Sequence, residues 1–315
     1  MSKNIYELSG VTKIYDNGTK ANDNISLCVA KGEILGVFGP NGAGKTTMIK
    51  QMVGLLRPTA GTITLYGRSL QACPSMAPHY VAYLGQTVAA FGSFTFAEVI
   101  VHAGIHRGLS KAQALADAKS LIARFGLQAK ASRLRYQLSG GELKLSILLS
   151  VLIGEKPILI LDEPTNDLDP EHRRQVWEYL LELCKNKGTT IVLVTHNVDE
   201  ADSVVDQVAV IDRGTLCALG TAGQLKSALG DVVKIIITLK PGHTMGATPF
   251  PGAHLHGQRW CFTVPSGETL YALGQLQAML GDSAIDDFKV ARPTLADVYT
   301  QLTRREWDEN SGQPT

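Results

Sequence analysis

The 315-residue sequence predicts an α/β fold built on a mostly parallel sheet, followed by a smaller α+β domain. Three observations carry this. Apolar runs rich in Ile, Val and Leu recur between stretches of helical spacing, the pattern of a sheet covered on both faces. The segment Gly39-Pro40-Asn41-Gly42-Ala43-Gly44-Lys45-Thr46-Thr47 fits G-x-x-x-x-G-K-[ST] between one such run and an apolar helix. After Gly220 the composition shifts, and the order becomes strand, Gly/Pro-rich loop, strand, helix, strand, helix.

In chain order, Tyr6–Tyr15 and Ile25–Val29 are expected to be strands antiparallel to their neighbours, because short turns at Asn17-Gly18 and Lys31-Gly32 separate them. Ile34–Phe38, Val81–Leu84, Ile158–Leu161, Thr190–Val194 and Val208–Ile211 read as short buried strands. Lys45–Leu55, Lys111–Phe125 and His172–Lys185 carry helical spacing. Beyond Gln224–Gly230, which closes a short helix, Val232–Leu239, Arg259–Val264 and Ala284–Val290 are expected strands. Glu268–Leu280 and Leu295–Arg304 are expected helices, and Pro241–Gly252 a flexible loop. The expected division is residues 1–222, 223–305 and a polar tail, 306–315.

Composition bounds the function. With 30 Lys+Arg against 29 Asp+Glu the net charge is +1, which argues against generic capture of nucleic acid or anionic lipid. No apolar run approaches the ~20 residues that span a bilayer, and the start MSKNIYELSG lacks the apolar core of a secretion signal. Five scattered cysteines without a C-x-x-C point to reduced thiols rather than a disulfide framework or zinc knot. His102 and His106 are spaced i,i+4, but without the metalloprotease glutamate between them they read as a solvated or packing face. His254 and His256 read as surface residues.

The glycine-rich segment has a direct chemical reading. Its glycines permit backbone angles that aim successive N–H groups inward as an anion nest, and the following helix adds the positive end of its dipole. Lys45 is placed to neutralise the β- and γ-phosphates of a nucleotide, and Thr46 to offer its hydroxyl to Mg²⁺. Ile158-Leu159-Ile160-Leu161-Asp162-Glu163 is the complement, an apolar strand delivering two acids at its C-terminal end, where ligands sit in open α/β sheets. Asp162 is expected in the Mg²⁺ shell, and Glu163 is expected to accept a proton from an attacking water.

Leu138-Ser139-Gly140-Gly141-Glu142, ahead of that acidic pair, resembles the signature motif of ABC-type ATPases. With GPNGAGKTT, LDEPTNDLDP and His196, the ordered set is similar to an ATP-binding cassette over roughly residues 3–222. The resemblance implies a P-loop ABC fold with a helical subdomain at about 87–138, ATP and Mg²⁺ as cofactors, and ATPase activity. It implies that Tyr15 stacks on adenine, although an ordinary strand-end tyrosine would look the same. Gln86 matches the glutamine that touches Mg²⁺ and the attacking water, and His196 the switch histidine that contacts the γ-phosphate and orients Glu163. Asp169 falls in the loop that crosses the dimer interface.

Ser139, Gly140 and Gly141 open a helix and so form a second anion site, which one subunit cannot readily close on its own phosphate loop. Two copies arranged head to tail can, with ATP as the glue of a self-complementary interface. Two residues depart from the pattern. Asp167 stands where exporter cassettes usually carry glycine, and Glu142 replaces the usual glutamine; neither removes a reacting group.

With no membrane span of its own, a cassette that powers transport needs integral permease subunits in a separate chain, contacting the helical region, and a peripheral place on the cytoplasmic face of the inner membrane. Ala291–Thr303 resembles the terminal helix of the daunorubicin-exporter branch of bacterial multidrug exporters, whose relatives serve lipid, polysaccharide, sodium and nodulation-factor export, and the resemblance implies an exporter of drugs, lipids or glycoconjugates. The second domain is read as a dimerising or regulatory cap. Two other readings stay open: a non-transport cassette acting on ribosomes or nucleic acid, and an importer subunit. The neutral charge weighs against nucleic acid as a partner.

Overall fold

The computed structural model describes residues 4–86, 93–195, 201–243, 250, 252–256, 259–280, 284–295, 297–299 and 301–302. Its contacts divide the chain into two compact units, Met1–Gly220 and Thr221–Thr315.

The first unit opens with strands β1 (Asn4–Ile14) and β2 (Lys20–Ala30), which pair antiparallel. In β2 the buried Ile25, Leu27 and Val29 alternate with exposed Asn24, Ser26 and Cys28, the mark of a sheet covered on one face. All five residues of β3 (Ile34–Phe38) are buried, as a strand covered on both faces requires. That difference corrects the expected pairing. β2 does not pair with β3; the turn at Lys31-Gly32 carries the chain from one sheet to another. The Gly32 N–H donates to Thr190 Oγ1 at 2.8 Å and the Ile191 N–H to the Glu33 carbonyl at 2.9 Å, so the second sheet captures the turn.

Helix α1 (Lys45–Met52) follows, then β4 (Ala60–Leu65) and β5 (Arg68–Ser69), which complete a four-stranded sheet in the order β2-β1-β4-β5. These two strands are not legible in the sequence, although buried Ile63 and Leu65 alternate with exposed Thr62 and half-buried Thr64. Helix α2 (Ala77–Tyr80) leads into β6 (Val81–Leu84). Helices α3 (Phe96–His106), α4 (Lys111–Arg124) and α5 (Gly140–Leu152) then pack together, with α3 against both others. Strand β7 (Ile158–Asp162), helix α6 (Pro170–Lys187), β8 (Thr190–Val194), β9 (Gln207–Asp212) and β10 (Thr215–Gly220) finish the unit. The second sheet runs β10-β9-β3-β8-β7-β6, parallel except for β10 at its edge. A parallel order places the C-terminal ends of β3, β6 and β7 on one side, where the phosphate-loop segment, Gln86 and the acidic pair emerge.

Between the sheets, α1 contributes Met48, Ile49 and Met52 to a core that includes Tyr6, Leu8, Val37 and Ile160. Tyr6 is wholly buried, and burial holds its phenol protonated far above the ordinary tyrosine value. Its hydroxyl donates to the Met52 carbonyl at 2.9 Å, satisfying an acceptor at the end of α1.

The second unit holds helix α7 (Ala222–Ser227), strands β11 (Val232–Leu239), β12 (His254–His256) and β13 (Arg259–Pro265), helix α8 (Thr269–Leu280) and β14 (Ile285–Ala291). Its antiparallel sheet runs β12-β13-β11-β14. Ile235, Ile237, Phe262 and Val264 line a core with Ala272 and Leu276 of α8. The terminal helical residues 297–299 and 301–302 begin from a cap at Thr294, whose N–H donates to Asp297 Oδ2 at 2.8 Å. Lys234 of β11 is ion-paired to the other oxygen of Asp297. Burial raises the Asp297 pKa, but the hydrogen bonds from Lys234 and Thr294 outweigh it and the net shift is downward. The apolar spacing of Leu295 and Val298, both buried, is therefore fixed in place by a polar clasp.

Removing the Tyr6 hydroxyl leaves the Met52 carbonyl without that donor. Tyr6→Phe is expected to cost about 1–3 kcal/mol, read as a lower urea midpoint at unchanged slope.

Candidate functional site

The loop from Gly39 to Gly44 turns because its backbone is held on both sides. Gly44, at φ +99°, caps α1, and a Cβ there would lie 2.1 Å from the Ala21 carbonyl oxygen. Glycine is thus required by both conformation and space. The Gly44 carbonyl accepts from Asn22 Nδ2 at 3.1 Å, and Asn22 Oδ1 accepts from Gln51 Nε2 at 2.7 Å. Asn22 has no exposed surface, so a buried amide from β2 fixes the angle at which α1 leaves the loop.

Lys45 folds back along the loop and donates to the carbonyls of Gly39 at 2.7 Å and Pro40 at 2.9 Å. Burial lowers its pKa, while Glu163 and Asp162 pull in the opposite direction. An ammonium has three donors, so one remains for an anion.

In front of the loop, three elements converge. Thr46 Oγ1 donates to Asp162 Oδ2 at 3.0 Å. Gln86, just past β6, turns its Nε2 toward both, at 3.2 Å from Thr46 Oγ1 and 3.4 Å from Asp162 Oδ1. Asp162 has no exposed surface. Burial raises its pKa, the bonds from Thr46 and Gln86 lower it, Glu163 raises it and Lys45 lowers it, with burial winning. A buried carboxylate beside a hydroxyl and an amide is a hard-oxygen donor set suited to Mg²⁺. The residues present therefore fit such a cation.

Glu163 follows in a left-handed backbone conformation, φ +52°, which non-glycine residues adopt at a cost. The N–H of Glu163 donates to the Val194 carbonyl at 2.8 Å, so the end of β8 over-determines the turn. His196 lies outside the described residues; β8 ends two residues before it. Tyr15 stands just beyond β1, half-exposed, with its hydroxyl 3.2 Å from Thr47 Oγ1. The structure thus brings Tyr15, Gly39 to Thr47, Gln86, Asp162 and Glu163 to one end of the sheet.

Ser139 caps α5. Its Oγ accepts from the Glu142 N–H at 3.2 Å, and its N–H donates to Glu142 Oε2 at 2.9 Å. Glu142 is thereby explained: it closes a capping box, and an ion pair to Lys130 at 2.5 Å holds it. The Lys130 and Ser139 bonds lower its pKa. At Thr95 and Ser110 the capping hydroxyls also donate, to Glu98 at 2.9 Å and Gln113 at 2.8 Å. Among the described residues Ser139 makes no such donation, leaving its proton for another acceptor beside the amides of Gly140 and Gly141. No hydrogen bond joins Ser139, Gly140 or Gly141 to residues 39–47 among the described residues.

Asp167, the second departure, sits at φ +65°. A Cβ on Gly141 would lie 2.7 Å from its carbonyl oxygen, so the start of α5 packs directly on this loop. Asp169 then caps α6, accepting from the N–H groups of Glu171 and His172 at 3.1 and 3.0 Å. Lys144, which the sequence reading passed over, comes off the first turns of α5 toward these acids. Burial lowers its pKa, while Asp167, Asp162 and Glu163 raise it. The available signal was a single cation inside the apolar run Leu143–Leu149.

The ABC transporter family model matches residues 22–166. The daunorubicin/doxorubicin resistance ATP-binding protein DrrA of Streptomyces peucetius is 41% identical over 227 residues, covering 72% of this chain and 68% of that protein. The chain belongs to the ABC transporter ATPase family. A second relative, daunorubicin resistance ATP-binding protein DrrA3 of Streptomyces coeruleorubidus, is 33% identical and covers 96% of this chain and 97% of its own length. Among solved structures, an ATP-binding cassette in a dimeric post-hydrolysis state with ADP and Pi aligns with a TM-score of 0.64 at 23% identity, over 69% of this chain and 98% of that one. This likeness shows the P-loop ABC fold. The ABC subunit described here binds and hydrolyses ATP and is related to the ATPases of drug-resistance exporters.

A carboxyl whose pKa rises on folding opposes folding once ionised, a cost that is absent at strongly acid pH and grows as pH climbs through the raised value. Asp162→Asn removes that cost. Without nucleotide the variant should melt no lower than the parent at neutral pH, yet gain no thermal protection from ATP with Mg²⁺.

Proposed function

We propose that two copies of this chain close head to tail around two ATP molecules, and that closing and reopening drive a separate membrane permease that exports drugs, lipids or glycoconjugates. The observation that carries this reading is the convergence of Thr46, Asp162 and Gln86 before the loop. A phosphate-bound divalent cation fits that buried cluster of hydroxyl, carboxylate and amide groups.

In this reading the amides of Gly39 to Thr47 and Lys45 hold the β- and γ-phosphates, and Tyr15 stacks on adenine. Thr46, Asp162 and Gln86 hold Mg²⁺; Gln86 must turn its amide so that Oε1 replaces Nε2. When bound, the cation neutralises charge developing on the phosphate oxygens. Glu163 accepts the proton of the attacking water, and His196 orients it.

The available proton of Ser139 and the amides of Gly140 and Gly141 bind the γ-phosphate of ATP held by the other copy. The Gly141–Asp167 contact ties that helix to the interface loop of the same subunit, so occupancy on one side is felt on the other. The helical region at about 87–138 receives the permease. The working place is the cytoplasmic face of the inner membrane. The second domain, about 223–305, serves as an accessory dimerising cap.

Glu163→Gln should leave ATP binding intact, lower turnover by about 10²–10⁴-fold and accumulate an ATP-bound dimer in sedimentation. Unchanged hydrolysis would remove Glu163 from the mechanism. Lys45→Ala should lose nucleotide affinity in equilibrium binding; normal binding would contradict the cradle.

A further inference from the structure

Among the described residues strand β14 lies at the edge of the second unit's sheet and pairs only with β11. Phe288 stands opposite Ile237 and Val290 opposite Ile235, and opposed residues of an antiparallel pair share a face. Ile235 and Ile237 are sealed in the core, but Phe288 is 57% exposed and Val290 38%. The core side of the sheet therefore runs on past its cover, onto a strand whose outer edge has no partner strand among the described residues. Edge strands are usually blunted by charge. β14 carries three charges, Asp286 at the irregularity and Asp287 and Lys289 flanking Phe288, the midpoint of Ile285–Ala291, and the last two are of opposite sign.

We propose that β14 is a self-pairing edge, joining a second copy of this chain in an antiparallel register centred on Phe288. That register sets Asp287 of each copy against Lys289 of the other and brings the two Phe288 rings together on the core side. Shifting the centre by one residue sets Asp287 or Lys289 against itself, and a parallel in-register pair does so for both; like charges directly opposite are unfavourable. The irregularity of β14 beside Asp286 leaves Asp287, Phe288 and Lys289 as the regular centre of the contact. The interface is isologous, as a two-fold dimer requires. This inference rests on the reading of the second unit as a dimerising cap and is independent of nucleotide chemistry.

The test is sedimentation of the full chain over a concentration series without nucleotide. A monomer–dimer equilibrium is expected, weakened roughly tenfold or more by Asp287→Lys or by Lys289→Asp, and restored by the two together. Adding Lys45→Ala should leave the equilibrium unchanged, which separates this contact from ATP-driven closure. In a chain with Cys28→Ser and Cys73→Ser, Phe288→Cys should cross-link to itself, whereas Thr263→Cys on β13 should not. A chain that stays monomeric throughout, single reversals without effect, a double reversal that fails to restore pairing, or equal cross-linking at both positions would overturn the proposal.

Discussion

Asp162 is a carboxylate with no surface exposed to water, placed at the end of a strand buried on both faces. Keeping such a group charged is costly unless hydrogen bonds or a cation compensate. The rest of the site is arranged around that constraint. Thr46 and Gln86 each donate to Asp162, and Lys45 stands close enough to pull its pKa down. None of these contacts forms unless β3, β6 and β7 end together, which their places in one parallel sheet enforce. The same strands owe their order to side chains that tolerate burial on both faces.

The second half of the chemistry is held apart from the first. Ser139 spends its acceptor on its own helix and keeps its donor, and the first amides of α5 have no partner within that helix. Under the proposed function this end of α5 is an anion site, and no hydrogen bond among the described residues joins it to the phosphate-loop segment of the same chain. Its position is fixed from behind, by Glu142 on Lys130 and by Gly141 pressed on the Asp167 carbonyl. Asp167 and Glu142, the two departures from the usual pattern, are thus structural members of the piece that would meet a partner's nucleotide. Glu163 adds a left-handed backbone between Asp162 and the loop that holds Asp167, in keeping with the concentration of strain at functional sites.

Much of this was legible in the residues, for identifiable reasons. The phosphate loop and the acidic pair are local: each is a short run whose chemistry and flanking strand lie in adjacent residues. The convergence of Gln86 on Thr46 follows from strand order, which the ordered motifs implied. What escaped is tertiary. Nothing near Asn22 announces that its amide will carry the Gly44 carbonyl, since its partners lie 22 and 29 residues away. The turn at Lys31-Gly32 looked like a hairpin because a tight turn is the same locally whether the next strand returns or leaves. Only the contrast between alternating β2 and uniformly apolar β3 distinguishes the two outcomes. Lys144 is not legible in the sequence, because helical spacing alone does not say which face meets the acids.

The central claim, that each nucleotide is completed by two chains, is tested most directly by complementation. One variant carries Lys45→Ala and a second carries Ser139→Arg, each expected to be inactive alone. Mixed, they form heterodimers in which one composite site has both an intact loop and an intact signature, and ATP hydrolysis should reappear in proportion to the heterodimer formed. Full activity from the Ser139→Arg chain alone, or no recovery in a mixture shown to contain heterodimer, would contradict the account.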